Sequence, residues 1–184
     1  MSAPAARINQ FRGAVVAAIR AAMPALRSCE EQFGRFDLDE LERTVIPSPA
    51  VRVAVLRAKA KPLANGQGEA TLSCAAFVVT DGNERDARAW AIAEAIAALL
   101  HTSQLWGLTQ LEAPQAVEIQ PVVGLKLRQR AVAIIAVEWT QSLRRLGADV
   151  FGEDGTVVEG LYLGEELVAA PTPPDEEPEA GDDE

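Results

Sequence analysis

A chain of 184 residues, 48% hydrophobic, is long enough to bury a core, and its net charge of −10 disfavours sequence-independent phosphate binding, which relies on clustered Lys and Arg. Seven of the negative charges (Asp175, Glu176, Glu177, Glu179, Asp182, Asp183 and Glu184) sit in one terminal run, so the rest of the chain carries only −3. No segment reaches the roughly 18 uninterrupted apolar residues of a membrane span, and Arg7, Arg12 and Arg20 interrupt the first apolar run as no signal peptide would, so a soluble protein with no membrane partner is expected.

Ile8, Phe11, Val15, Ile19, Ala22 and Leu26 recur at three- and four-residue intervals and predict an amphipathic helix that ends near Pro24, with 25–28 leaving its axis or turning. A shorter helix is expected over 38–44, where Asp37 can cap with Glu40 three residues on and Pro47 and Pro49 stop the run. Val51, Val53 and Val55 alternate with Arg52, Ala54 and Leu56, and 70–80 is rich in β-branched and small residues, so the two runs predict an antiparallel hairpin. Its connection, 59–68, reads as a projecting polar loop, and Lys59, Lys61, Asn65 and Gln67 are therefore candidate contact residues.

Asp81, Gly82 and Asn83 form a turn ahead of a helix over 84–100, with Ile92, Ile96, Leu99 and Leu100 on one face and alanine filling the rest. Two strands follow, over 117–125 and 129–143, and Pro121 places the first at an edge or a bulge. A small hairpin over 149–167, turning at Glu153, Asp154 and Gly155, has too few apolar residues to form a core alone. From Pro171 on, four prolines and the acidic run predict disorder. The fold expected is α+β: a mixed or antiparallel sheet of about four to five strands with helices on one face, divided as a body (1–148), a hairpin extension (149–170) and a disordered acidic tail (171–184).

No constellation of catalytic residue types appears. Cys29 and Cys74 lack metal-ligand spacing, and with His101 the only histidine no metal and no cofactor is expected; Cys74 reads as core packing and Cys29 as a surface or half-buried thiol. His101 ends a helix, where the carbonyl end of the dipole favours it without any catalytic role. The acidic residues Asp37, Asp39, Glu40 and Glu42 read as helix-start carboxylates rather than a magnesium site, and Gly66–Gln67–Gly68 as loop punctuation. Arg128, Arg130, Arg144 and Arg145 bracket the last strand, as solvated ends or as partners for a carboxylate elsewhere. Of Trp90, Trp106 and Trp139, Trp106 in the QLWGL loop is the best interface candidate.

The order of helix, short helix, Pro-led strand (PSPAVRVAVLRA), long loop, strand (EATLSCAAFVVTDG), Ala-rich helix (ERDARAWAIAEAIAALL) and final strand pair resembles the tail terminator, or tail completion, proteins of long-tailed and especially Mu-like bacteriophages. The resemblance spans 6–146. It implies a non-enzymatic virion protein of the tail and neck, assembled in the host cytoplasm as a homo-oligomeric ring, commonly a hexamer, on the last ring of tail tube protein. Such a ring ends tube polymerisation and offers the surface to which the head-completion or neck protein docks, with DNA only passing through its lumen. Subunit pairing would draw on sheet edges, with the strand over 131–143 and the Pro121 strand as the expected ones. The competing readings are another head–tail connector component, or a small cytoplasmic adaptor that binds a partner protein through Trp106 and the 59–68 loop.

Overall fold

The alternating central runs become the long strands of a five-stranded mixed sheet in the computed structural model, which describes residues 6–35, 46–62, 68–101, 105–122, 131–147, 161–163 and 166–170. In chain order the elements are α1 (Arg7–Ala22), β1 (Ser28–Phe33), β2 (Ala50–Pro62), β3 (Gly68–Asp81), α2 (Arg85–His101), β4 (Gln115–Pro121), β5 (Val132–Leu146), β6 (Leu161–Leu163) and β7 (Glu166–Ala169). The sheet order is β1-β2-β3-β5-β4, with β1 parallel to β2 and the remaining pairs antiparallel. Both helices cover one face, α1 over β1, β2 and β5 and α2 over β3, β4 and β5, so the chain is α+β as expected.

In α1, Phe11, Val15 and Ile19 lie fully buried at four-residue spacing, and the helix stops at Ala22, ahead of Pro24, which cannot supply an interior N–H. The chain then enters β1, a strand that periodicity does not reveal. SCEEQF shows no clean alternation and places two glutamates side by side, and it forms a strand because it pairs in register from Ser28↔Ala50 to Phe33↔Val55. Cys29 is consequently buried rather than superficial, with its thiol directed to the Val16 carbonyl at 3.7 Å. The helix expected over 38–44 lies outside the described residues.

β2 runs on to Pro62 and β3 begins at Gly68, so Lys59 and Lys61 are strand residues, paired with Thr71 and Glu69, and not members of a projecting loop. Lys, Ala and Pro are poor strand formers, but the ladder with β3 overrides that weakness. Between Val55 and Arg57 the register shifts by one residue. Up to that bulge Val51, Val53 and Val55 face the helices; beyond it Ala58 pairs with Leu72 on the helix face, so Arg57, Lys59 and Lys61 turn to the opposite face.

α2 buries Ala89, Ala93, Ile96, Ala97 and Leu100, while Ile92 and Leu99 are only partly buried. Three alanines at four-residue spacing thus form the contact ridge itself, which brings the helix close to β3 and β5. β4 spans Gln115–Pro121 instead of 117–125 and is an edge strand that ends in Pro121, as its sequence requires. β5 is flanked by β3 and β4, so it offers no edge for subunit pairing. The sheet's opposite face carries a smaller apolar cluster, Ala50, Ala54, Ala75, Phe77, Val79, Ile134 and Ala136. β6 pairs with β7 antiparallel as a separate ribbon, Leu163 opposite Glu166; the expected turn at 153–155 lies outside the described residues.

Candidate interaction surfaces

The loop after α2 carries Trp106 inward. Trp106 adopts φ 53°, Gly107 φ 73° and Gln110 φ 59°, a succession of left-handed residues that turns the chain back onto the sheet, and the indole is only 8% exposed. Its Nε1–H donates to Gln141 Oε1 at 3.0 Å, Trp139 Nε1–H donates to the same oxygen at 3.3 Å, and Gln141 Nε2 donates to the Glu112 carbonyl at 2.7 Å. One buried amide therefore serves two indoles and a loop carbonyl. Trp106 is a core residue and not an interface anchor. The exposed large aromatics among the described residues are Trp90 on the outer side of α2, at 42%, and Phe33 at the end of β1, at 94%. Trp90 is adjacent to Ala89 and so falls about 100° around the helix from the buried alanine ridge, a displacement readable from spacing alone.

On the face away from the helices the polar ends of β2, β3 and β5 form rows. Arg57 aligns with Ser73 and Thr140, Lys59 with Thr71 and Ser142, and Lys61 with Glu69 and Arg144. In the last row the Glu69 carboxylate lies between Lys61 Nζ at 3.0 Å and Arg144 Nε at 3.2 Å, and Arg144 reaches on to Glu112 at 3.0 Å. The hydrogen bond from Lys61, reinforced by the charges of Lys61 and Arg144, holds the Glu69 carboxyl below its ordinary value. Arg144 thus meets carboxylates within its own chain. Arg57 and Lys59 are exposed and meet no acceptor among the described residues. Nearer β1, Arg52 is buried in the same face, where it donates to Ser28 Oγ and pairs with Glu30 at 3.2 Å.

Between the C-terminal end of α1 and the start of α2 lies an open, mainly apolar groove of about 500 Å³, lined by Met23, Pro24, Leu26, Pro49 and Ile92, with Arg88 the one charged residue among the described residues that line it. Both thiols are held protonated: burial raises Cys74 strongly, and it raises Cys29 against the opposing charges of Arg20 and Arg52. Among the described residues no group of three or more His, Cys, Asp or Glu could hold a metal ion, and no helix is long and apolar enough to cross a membrane.

Of the residues singled out from sequence, Lys59 and Lys61 share one face of β2, while Trp106 is buried on the other side of the sheet, so the structure does not bring them together. Asn65, Gln67, Arg128 and Arg130 lie outside the described residues. Compared with protein-family models and with curated proteins, the chain matches none.

Proposed function

We propose that this chain is a structural subunit that closes the end of a phage tail tube as a ring, ends tube polymerisation and presents the surface to which the head and neck dock. The observation that carries the reading is the fold: a mixed sheet with both helices on one face, in which α1, β2, β3, α2, β4 and β5 follow the order of the tail terminator resemblance with β1 as an added strand, and with β1 and β4 as open edges among the described residues. Two different edges on one subunit are what a heterologous, head-to-tail contact needs, and such a contact closes into a ring when its rotation divides a full turn. The subunit acts by presenting surfaces, not by chemistry; Phe33 at the end of β1 and Trp90 on α2 are the apolar anchors such contacts would bury. The test is the mass of the protein in solution by light scattering, with and without tail-tube protein. A discrete ring of about six subunits, alone or on tubes, is expected; a monomer or dimer that ignores tubes refutes the reading.

One observation favours the adaptor reading. The groove beside Pro24 and Ile92, mainly apolar with Arg88 at its rim, fits an apolar peptide side chain that carries a neighbouring carboxylate. In that case Arg88→Glu abolishes partner binding and leaves the oligomeric mass unchanged.

A further inference from the structure

β1 ends at Phe33, opposite Val55, and Gly34 at φ 75° turns the chain away. β2 continues for seven residues beyond that point, and 57–62 are all exposed, with β3 on one side and no strand among the described residues on the other. Among the described residues this stretch is an open edge, with one side of its backbone unpaired. It carries Arg57, Lys59 and Lys61 at two-residue spacing on one face. Basic residues on an edge ordinarily guard it against pairing with another copy of itself. The same charges leave the edge open to an acidic strand, because opposite charges directly across a strand pair attract where like charges repel.

We propose that the edge of β2 over 57–62 is the docking site of this chain's own acidic tail. The tail carries seven carboxylates, and 179–184 (EAGDDE) is a six-residue run without proline, matching the six residues of the open edge. Paired alternately, it sets either Asp182 and Glu184 or Glu179 and Asp183 on the cation face, toward Arg57, Lys59 and Lys61. The prolines at 171, 173, 174 and 178 keep the preceding segment extended and out of the ladder. Tethering makes the contact intramolecular, so a few screened ion pairs and edge hydrogen bonds suffice at an effective concentration on the order of millimolar. The eight residues 171–178 that precede the docked run span up to about 26 Å when extended. This contact does not depend on the ring reading.

The experiment is amide hydrogen exchange, resolved by residue, on the full-length protein. Three states are compared: wild type, a full-length variant with all seven tail acids converted to Asn or Gln, and R57E/K59E, whose positions carry no ion pair among the described residues. Wild type in low salt is expected to protect alternate amides of 57–62 by about ten-fold or more relative to both variants, and about 0.5 M NaCl is expected to remove the difference. A synthetic peptide of residues 171–184 added to the neutralised-tail variant restores protection. Equal exchange in all three states, or protection that persists when the tail acids are neutralised, overturns the proposal. Protection that grows with protein concentration places the tail on a neighbouring copy and overturns docking within one subunit. Circular dichroism on each variant confirms that the fold is retained; should R57E/K59E fail to fold, the tail variant and the peptide decide.

Discussion

Gln141→Leu tests whether the core is organised around one amide. Gln141 is 2% exposed and is hydrogen-bonded to Trp106, Trp139 and the Glu112 carbonyl. Leucine of similar volume removes the acceptor that both indoles share and strands two buried N–H groups, each costing about 1–3 kcal/mol. The Glu112 carbonyl sits near the surface and regains water, so it contributes little. Burial of the added methyl groups returns roughly 1 kcal/mol, and the net loss is about 2–4 kcal/mol. Against a total stability of about 5–15 kcal/mol that is a large fraction, and it lowers Tm by roughly 5–15 °C in a domain of this size. Trp106→Phe removes one donor and keeps most of the ring, so it costs about 1 kcal/mol. In the double variant one stranded donor is already gone, and the two losses combine to less than their sum by about 1 kcal/mol. Urea unfolding followed by far-ultraviolet circular dichroism measures all four corners of this cycle. A Gln141→Leu loss under about 1 kcal/mol, or strict additivity with Trp106→Phe, refutes the shared-acceptor account.

Three further outcomes follow from the charges and thiols. Because the Glu69 carboxyl is depressed in the folded state, its stabilising contribution is complete above the unfolded value, near about 4.3, and is lost as pH falls through the lower folded value. Glu69→Gln should flatten the fall of Tm over about pH 5 to 2 relative to wild type, and parallel curves would show that the row is not coupled. Lys59→Glu should leave Tm nearly unchanged, since Lys59 has no partner among the described residues, whereas Lys61→Glu sets a carboxylate against Glu69 and should lower it clearly; equal effects would contradict the observed pairing. Cys29 and Cys74, buried and held as thiols, should both resist a thiol-labelling reagent near pH 8 until the protein is unfolded, and rapid labelling of the native protein would contradict their burial.

The parts of this fold that were legible are those whose period survives over many residues. α1 shows itself in Phe11, Val15 and Ile19, and β3 and β5 in long runs of small and β-branched residues. β1 was hidden because its six residues owe their strand conformation to β2 and contain Glu30 and Glu31 in succession. The far half of β2 was hidden because lysine and alanine are weak strand formers and Pro62 looks like a loop residue, though at the last position of an exposed edge proline leaves no ladder bond unmade. The burial of Trp106 is not legible because its position is that of a loop residue, while the acceptor that draws its indole inward, Gln141, is distant in sequence. Trp90, by contrast, could have been chosen from its angle on α2.

The bulge at Leu56 decides which residues the surface of β2 displays, and this has a counterintuitive consequence. A one-residue deletion in a strand ordinarily sends every later side chain to the wrong face. Here Val55 pairs with Cys74 and Arg57 with the adjacent Ser73, so Leu56 is the residue without its own partner. Removing it joins two neighbours already in consecutive register and leaves Ala58 and Ala60 on the helix face and Arg57, Lys59 and Lys61 opposite. What is lost is the partial packing of Leu56 against the second apolar cluster and the extra local twist. Deletion of Leu56 should therefore cost no more than about 1 kcal/mol beyond Leu56→Ala, and it should retain the pH dependence contributed by Glu69, because Lys61 still faces it. A deletion that costs several kcal/mol more than the alanine variant, or that erases the Glu69 titration, would mean that the twist of the bulge, and not the register, holds the cation row in place.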